Sequence, residues 1–135
     1  MTYRADWLAT DRRLAGRVAE HLVHLIAEVS PGAKLGSTAP YSYAECVLIE
    51  AGCRQPRSLA NAFLKPVRVK PDGDLRSQTF QALAGHLAAF DGMYDKREER
   101  RYAALSEIGG LSADRVGGVD PLAQWAGRIA AGEAS

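Results

Sequence analysis

The 135-residue chain has no long apolar run, only two cysteines and, over one central stretch, no acidic residue. Nothing in it approaches the roughly 18 consecutive apolar residues of a membrane-crossing helix, and the start Met1-Thr-Tyr-Arg-Ala-Asp6 has no apolar signal region. The expected compartment is therefore the cytoplasm. Cys46 and Cys53, seven residues apart, match neither a CxxC metal knuckle nor a disulfide framework, and read as idle or buried thiols. The phosphate loop G-x-x-x-x-G-K-[ST], the nucleophile elbow G-x-S-x-G and the zinc pattern H-E-x-x-H are all missing. His21 and His24 stand at i and i+3 near Glu20 and Glu28, a spacing that can reach one metal ion. No third ligand is placed by the sequence, so they read as a surface pair. His86 borders an apolar stripe and reads as a core-edge histidine. Glu98 and Glu99, neighbours on an expected helix, point apart and do not share a substrate. The expectation is a non-enzyme with no metal and no cofactor.

What the chain does have is sorted charge. From Ala51 to Pro71 it carries Arg54, Arg57, Lys65, Arg68 and Lys70 without an Asp or Glu, while the formal net charge of the whole is only +1. Such sorting points to a local anionic partner. Arginine supplies 13 of the 17 basic residues, and its planar fork suits phosphate. Cations laid along a phosphate backbone release counterions, the main source of affinity that ignores base sequence.

Periodicity predicts an all-α fold: one domain over 1–135, a compact bundle of five to seven helices with a basic extended loop between the third and fourth. After Thr10 as N-cap, Leu14, Val18, Leu22, Leu25, Ile26 and Val29 recur at helical steps in one apolar stripe that ends at Ser30-Pro31-Gly32. Ser42-Tyr-Ala-Glu45 has the form of a capping box opening a helix to about Ala51. Pro56 fits the first turn of a short helix bearing Leu59, Phe63 and Leu64, which Pro66 stops. Pro66 to Gly73 alternates apolar and basic residues before a turn, as an extended loop or short hairpin arm does. Asp74 caps a helix with Phe80, Leu83, Ala84 and Leu87 on its stripe, interrupted at Asp91-Gly92. Asp95-Lys-Arg-Glu98 opens another, with Tyr102, Leu105 and Ile108, ending at Gly109-Gly110. Asp120-Pro121 starts the last, over 119–132, which follows the glycine joint Gly117-Gly118 as a docking helix.

On that frame Arg57, Asn61 and Lys65 form one polar ridge at i, i+4 and i+8, with Arg54 before it and Arg68 and Lys70 after it. Lys96, Arg97, Arg100 and Arg101 share an arc of about 140° on a later helix. A solvated, ion-paired face is the preferred account of that second run. Arg13 and Arg17 lie on the outer face of the first helix. The nucleic-acid contacts expected are Arg54, Arg57, Asn61, Lys65, Arg68 and Lys70, then Arg97, Arg100 and Arg101.

Two architectures use such a surface. One is a helix-turn-helix DNA reader, with Tyr43 to Ala51 as its first helix and Arg57 to Lys65 as its recognition helix. Against it, the usual small residue of the first helix is replaced by the apolar run Cys46-Val-Leu-Ile49. The other is a ribonucleoprotein subunit. The first-helix segment Ala19-Glu-His-Leu-Val-His-Leu-Ile26 and the basic segment Arg54 to Lys70, in a compact helical layout, resemble the small helical subunit of class 1 CRISPR effector complexes, the type IV kind among them. That resemblance implies a role in antiviral defence: several copies stacked head to tail in a crRNA-containing complex, beside other effector subunits, with basic faces lining the groove for the target or displaced strand. A protein-facing assembly or inhibitor factor, docking its basic patch on an acidic protein, is the remaining alternative.

Overall fold

Six residues, Cys46-Val-Leu-Ile-Glu-Ala51, decide the architecture, because they form a strand and not a helix. A short apolar run satisfies either periodicity, and here Val47 and Ile49 fit a pleated surface that the rest of the chain completes. The computed structural model describes residues 2–29, 43–68, 71, 73–96 and 98–133, with the backbone alone for 2–9. Among these the order is α1 (Thr2–Glu28), β1 (Cys46–Ala51), a single 3-10 turn (Ala60–Phe63), α2 (Leu75–Tyr94), β2 (Glu99–Ala104), β3 (Asp114–Arg115) and α3 (Val119–Ala130).

The strands form one sheet in the order β1-β2-β3. β1 and β2 are antiparallel, with Cys46 opposite Ala104 and Ala51 opposite Glu99, and β3 runs parallel to β2, with Arg101 opposite Asp114. The connection from β2 to β3 passes through Gly110 at φ 76°, and the Ile108 amide donates to the Tyr102 hydroxyl at 3.3 Å.

Strand alternation sends neighbouring side chains to opposite faces. Val47 and Ala103 join Val23 and Ala27 of α1 and Leu122, Ala123 and Trp125 of α3 in the main core. The other face carries Glu50 and Arg100, which meet α2 through Asp91. α1 and α3 pack closely because both present glycine at the crossing. A Cβ on Gly16 would lie 2.8 Å from the Gly127 carbonyl oxygen, and one on Gly127 would lie 3.0 Å from that of Gly16.

The all-α bundle is thus overturned: the described chain is α/β, with three α-helices and a three-stranded sheet. The helical layout behind the resemblance to a small helical subunit goes with it. The helix-turn-helix fails for the same reason, since Tyr43 to Ala51 is a lead-in plus strand, and only Ala60–Phe63 of the recognition segment is helical. α1 begins well before Thr10. Ser42 lies outside the described residues, and Glu45, its expected capping partner, instead pairs with Arg76 at 2.6 Å. α2 runs through Asp91-Gly92 to Tyr94. The helix expected after Asp95 is β2, so no helical arc joins Lys96, Arg100 and Arg101. The Asp74 cap does form, accepting from the amides of Arg76 and Ser77. α3 occupies the position expected for the last helix, with Trp125 only 1% exposed.

Candidate nucleic-acid interface

An open cleft of about 510 Å³ lies where β1, the loop after it and the C-terminal end of α2 converge. Gly52 and Pro56 break the backbone after β1, so the chain turns across the end of α2 and lays Arg54 and Arg57 against it. Arg54 donates to the carbonyls of Tyr94 and Asp95, both at 3.0 Å, and its Nε lies 3.2 Å from Glu98 Oε1. Those carbonyls are orphan acceptors at a helix C-terminus, the end that attracts a cation. α2 has no basic residue in its own last turn, so Arg54 supplies the charge from another segment. Asp95 has φ 59°, a conformation costly for a non-glycine residue, and Arg54 holds its carbonyl.

Arg57 grips Glu50 through both carboxylate oxygens, the shortest contact being 2.9 Å, and its guanidinium lies 4.8 Å from the centre of the Phe90 ring. Arg100 stands behind it with a fully buried side chain. It donates two bonds of 2.6 Å to Asp91, and its Nε lies 3.3 Å from Glu50. Those two bonds hold the Asp91 carboxyl below the usual carboxylate range, against a smaller upward push from burial. Asp91 in turn pushes the Arg100 guanidinium up.

Three arginines therefore meet three carboxylates, Glu50, Asp91 and Glu98, none of which lies within the basic stretch. Arg54 and Arg57 are committed within the molecule. Asn61 lies in the 3-10 turn, and the ridge expected of Arg57, Asn61 and Lys65 is broken because no continuous helix connects them. Lys65 and Arg68 are exposed on the segment that follows. Lys70 and Arg97 lie outside the described residues. Arg101, one position from Arg100 in β2, faces the opposite side and stacks over Trp125 at 4.9 Å. Arg100 and Arg101 thus belong to different faces of the sheet, and Arg100 is removed from solvent.

The sequence reading missed an aromatic ladder on α2. His86, Phe90 and Tyr94 recur every four residues, with His86 edge-on to Phe90 at 4.9 Å and Phe90 stacked on Tyr94 at 5.8 Å. The spacing was there to be seen, but the break expected at Asp91-Gly92 separated Tyr94 from the other two. Phe90 and Tyr94 line the cleft beside Arg54 and Arg57, and with Arg57 over the Phe90 ring and Tyr94 stacked on it, half-exposed Tyr94 is the ring this pair presents to the cleft.

The model of the CT1975-like protein family, a family of CRISPR-associated (Cas) proteins, matches residues 4–123. The chain belongs to this family. No curated protein matches it. Membership covers α1, the sheet and the first turns of α3, and so includes every wall of the cleft. It makes CRISPR association a property of the chain, while the all-helical layout from which that association was first expected is not its fold. Among the described residues no helix is long and apolar enough to cross a membrane.

Proposed function

We propose that this Cas-family chain is a non-catalytic subunit of an RNA-guided class 1 CRISPR effector complex, contacting nucleic acid in the groove for the target or displaced strand. Its partners are then the crRNA-containing assembly and the other effector subunits. The observation that carries this is the cleft in which half-exposed Tyr94 stacks on Phe90 beside Arg54 and Arg57. Aromatic faces hold unpaired bases without regard to sequence. The local ion pairs leave the cleft close to neutral, so stacking holds the bases, while phosphate neutralisation falls to exposed Lys65 on the segment beyond Leu59.

Fluorescence anisotropy with a labelled single-stranded RNA and its DNA equivalent, each across a salt series, tests this. Tyr94→Ala is expected to weaken binding by about 5- to 100-fold, the worth of one stacked base. Lys65→Ala should lower the slope of log affinity against log salt by about one. Unchanged affinity in the first variant together with an unchanged slope in the second rejects the site. A preference of several orders of magnitude for one duplex sequence rejects strand binding in favour of direct base readout.

A further inference from the structure

The apolar stripe of α1 does not face the core. Val23 and Ala27 are buried with α3, and Gly16 lies at its crossing. Leu14, Val18, Leu22, Leu25, Ile26 and Val29 keep 51 to 60% of their surface exposed. At 100° per residue these six fall within an arc of about 120°, on the side of the helix turned away from α3. The Val29 amide bonds to the Leu25 carbonyl at 2.9 Å, which extends the stripe through that residue. Its length is about 22 Å at 1.5 Å per residue.

We infer that this face pairs with the same face of a second copy of the chain, as two antiparallel α1 helices related by a two-fold axis passing beside Leu22. Area is the first support. The six side chains expose roughly 600 Å², as large as the biggest apolar patch on a typical monomer and, with their polar flanks, close to the ~800 Å² per partner of a stable interface. Charge is the second. Arg17 and Glu28 lie on the same flank of the stripe, about 20° apart around the helix, and both are exposed. In an antiparallel pair equal flanks meet, and an axis near Leu22 sets Arg17 against Glu28 of the second copy, once on each side. A parallel pair would set that flank against the opposite one, which carries Arg12 and Ala19 and offers Arg17 no carboxylate. The axis also places Leu22 on Leu22 and Val18 near Ile26, so the patch is self-complementary, as an isologous contact requires. Such a contact closes after two copies and is distinct from head-to-tail stacking.

Sedimentation velocity on the full chain tests the pairing, at concentrations up to about 100 µM, above the micromolar end expected for an interface of this size. The wild type should be a dimer, and Leu22→Glu, which changes a side chain already exposed in the protomer, a monomer with an unchanged circular-dichroism spectrum. Arg17→Glu should weaken the dimer by about tenfold, and adding Glu28→Arg should restore most of that loss. With Cys46→Ser and Cys53→Ser in place, Leu22→Cys should form a disulfide-linked dimer under mild oxidation. A monomeric wild type at the top concentration, a Leu22→Glu protein that stays dimeric, or a charge-reversed pair no better than the single variant overturns the inference. The first of these would leave the face to a different subunit.

Discussion

Replacing Arg100 by methionine removes the only fully buried guanidinium in the ion-pair network. The substitution keeps most of the volume and all of the apolar stem, so the change is one of charge. It deletes two bonds of 2.6 Å to Asp91 and a contact of 3.3 Å to Glu50. Two largely buried carboxylates then depend on Arg57, which reaches Glu50 at 2.9 Å but Asp91 only at 3.9 Å. Breaking a buried pair from one side costs about 3–5 kcal/mol, because the remaining charge loses its compensation. Arg57 stays in place, so the lower end applies, about 3 kcal/mol. For a chain of this length that lowers Tm by roughly 10 °C. Urea denaturation followed by circular dichroism measures it. Asp91 also sets a pH signature. Its carboxyl is depressed in the folded state, so the stability it contributes is fully present above its unfolded value near 3.8 and is lost as pH falls through the folded one. Wild type should therefore lose stability on acidification below about pH 4, and Arg100→Met should lose less over that window. In Arg100→Met/Asp91→Leu the cost should fall short of the sum of the singles by about 2 kcal/mol. A loss under about 1 kcal/mol for Arg100→Met, or an unaltered acid slope, would refute the reasoning.

Two glycines should respond to alanine with opposite signs. Gly85→Ala meets no atom within 4 Å and gains helix propensity, stabilising by up to about 1 kcal/mol. Gly16→Ala gains the same propensity but drives Cβ to 2.8 Å from the Gly127 carbonyl oxygen, and the overpacking cost of about 1–3 kcal/mol leaves a net loss near 1 kcal/mol. Thermal melts of both decide the matter, and shifts of the same sign would show that the α1–α3 approach is not tight. Asp74→Ala frees the amides of Arg76 and Ser77 at the start of α2, and should lower Tm by about 3 °C in a calorimetric scan.

What could be read directly from the chain was local. Asp74 caps α2, Asp120-Pro121 marks the start of α3, and the stripe of α1 from Leu14 to Val29 recurs at helical spacing, because a cap, a proline and a helical period act within a few residues of themselves. The basic stretch and its lack of acids were equally plain. Partnership was not. Val47 and Ile49 accept helix or strand until Ala103 and Arg101 arrive from more than 50 residues away to pair with them, and that same pairing makes a strand of Glu99–Ala104. The carboxylates that neutralise Arg54 and Arg57 are Glu98, Glu50 and Asp91, none of which lies in the basic stretch. Burial of the α1 stripe was likewise open, since a helix with apolar residues on two sides shows only its period, and the glycine contact with α3 chose the narrower face. Sequence by itself therefore determined the helical period of α1, the cap of α2, the proline start of α3 and where positive charge is concentrated. Tertiary structure alone decided which short apolar runs became strands, which carboxylates pair with Arg54, Arg57 and Arg100, and which face of α1 stays bare, because each depends on contacts between separate segments.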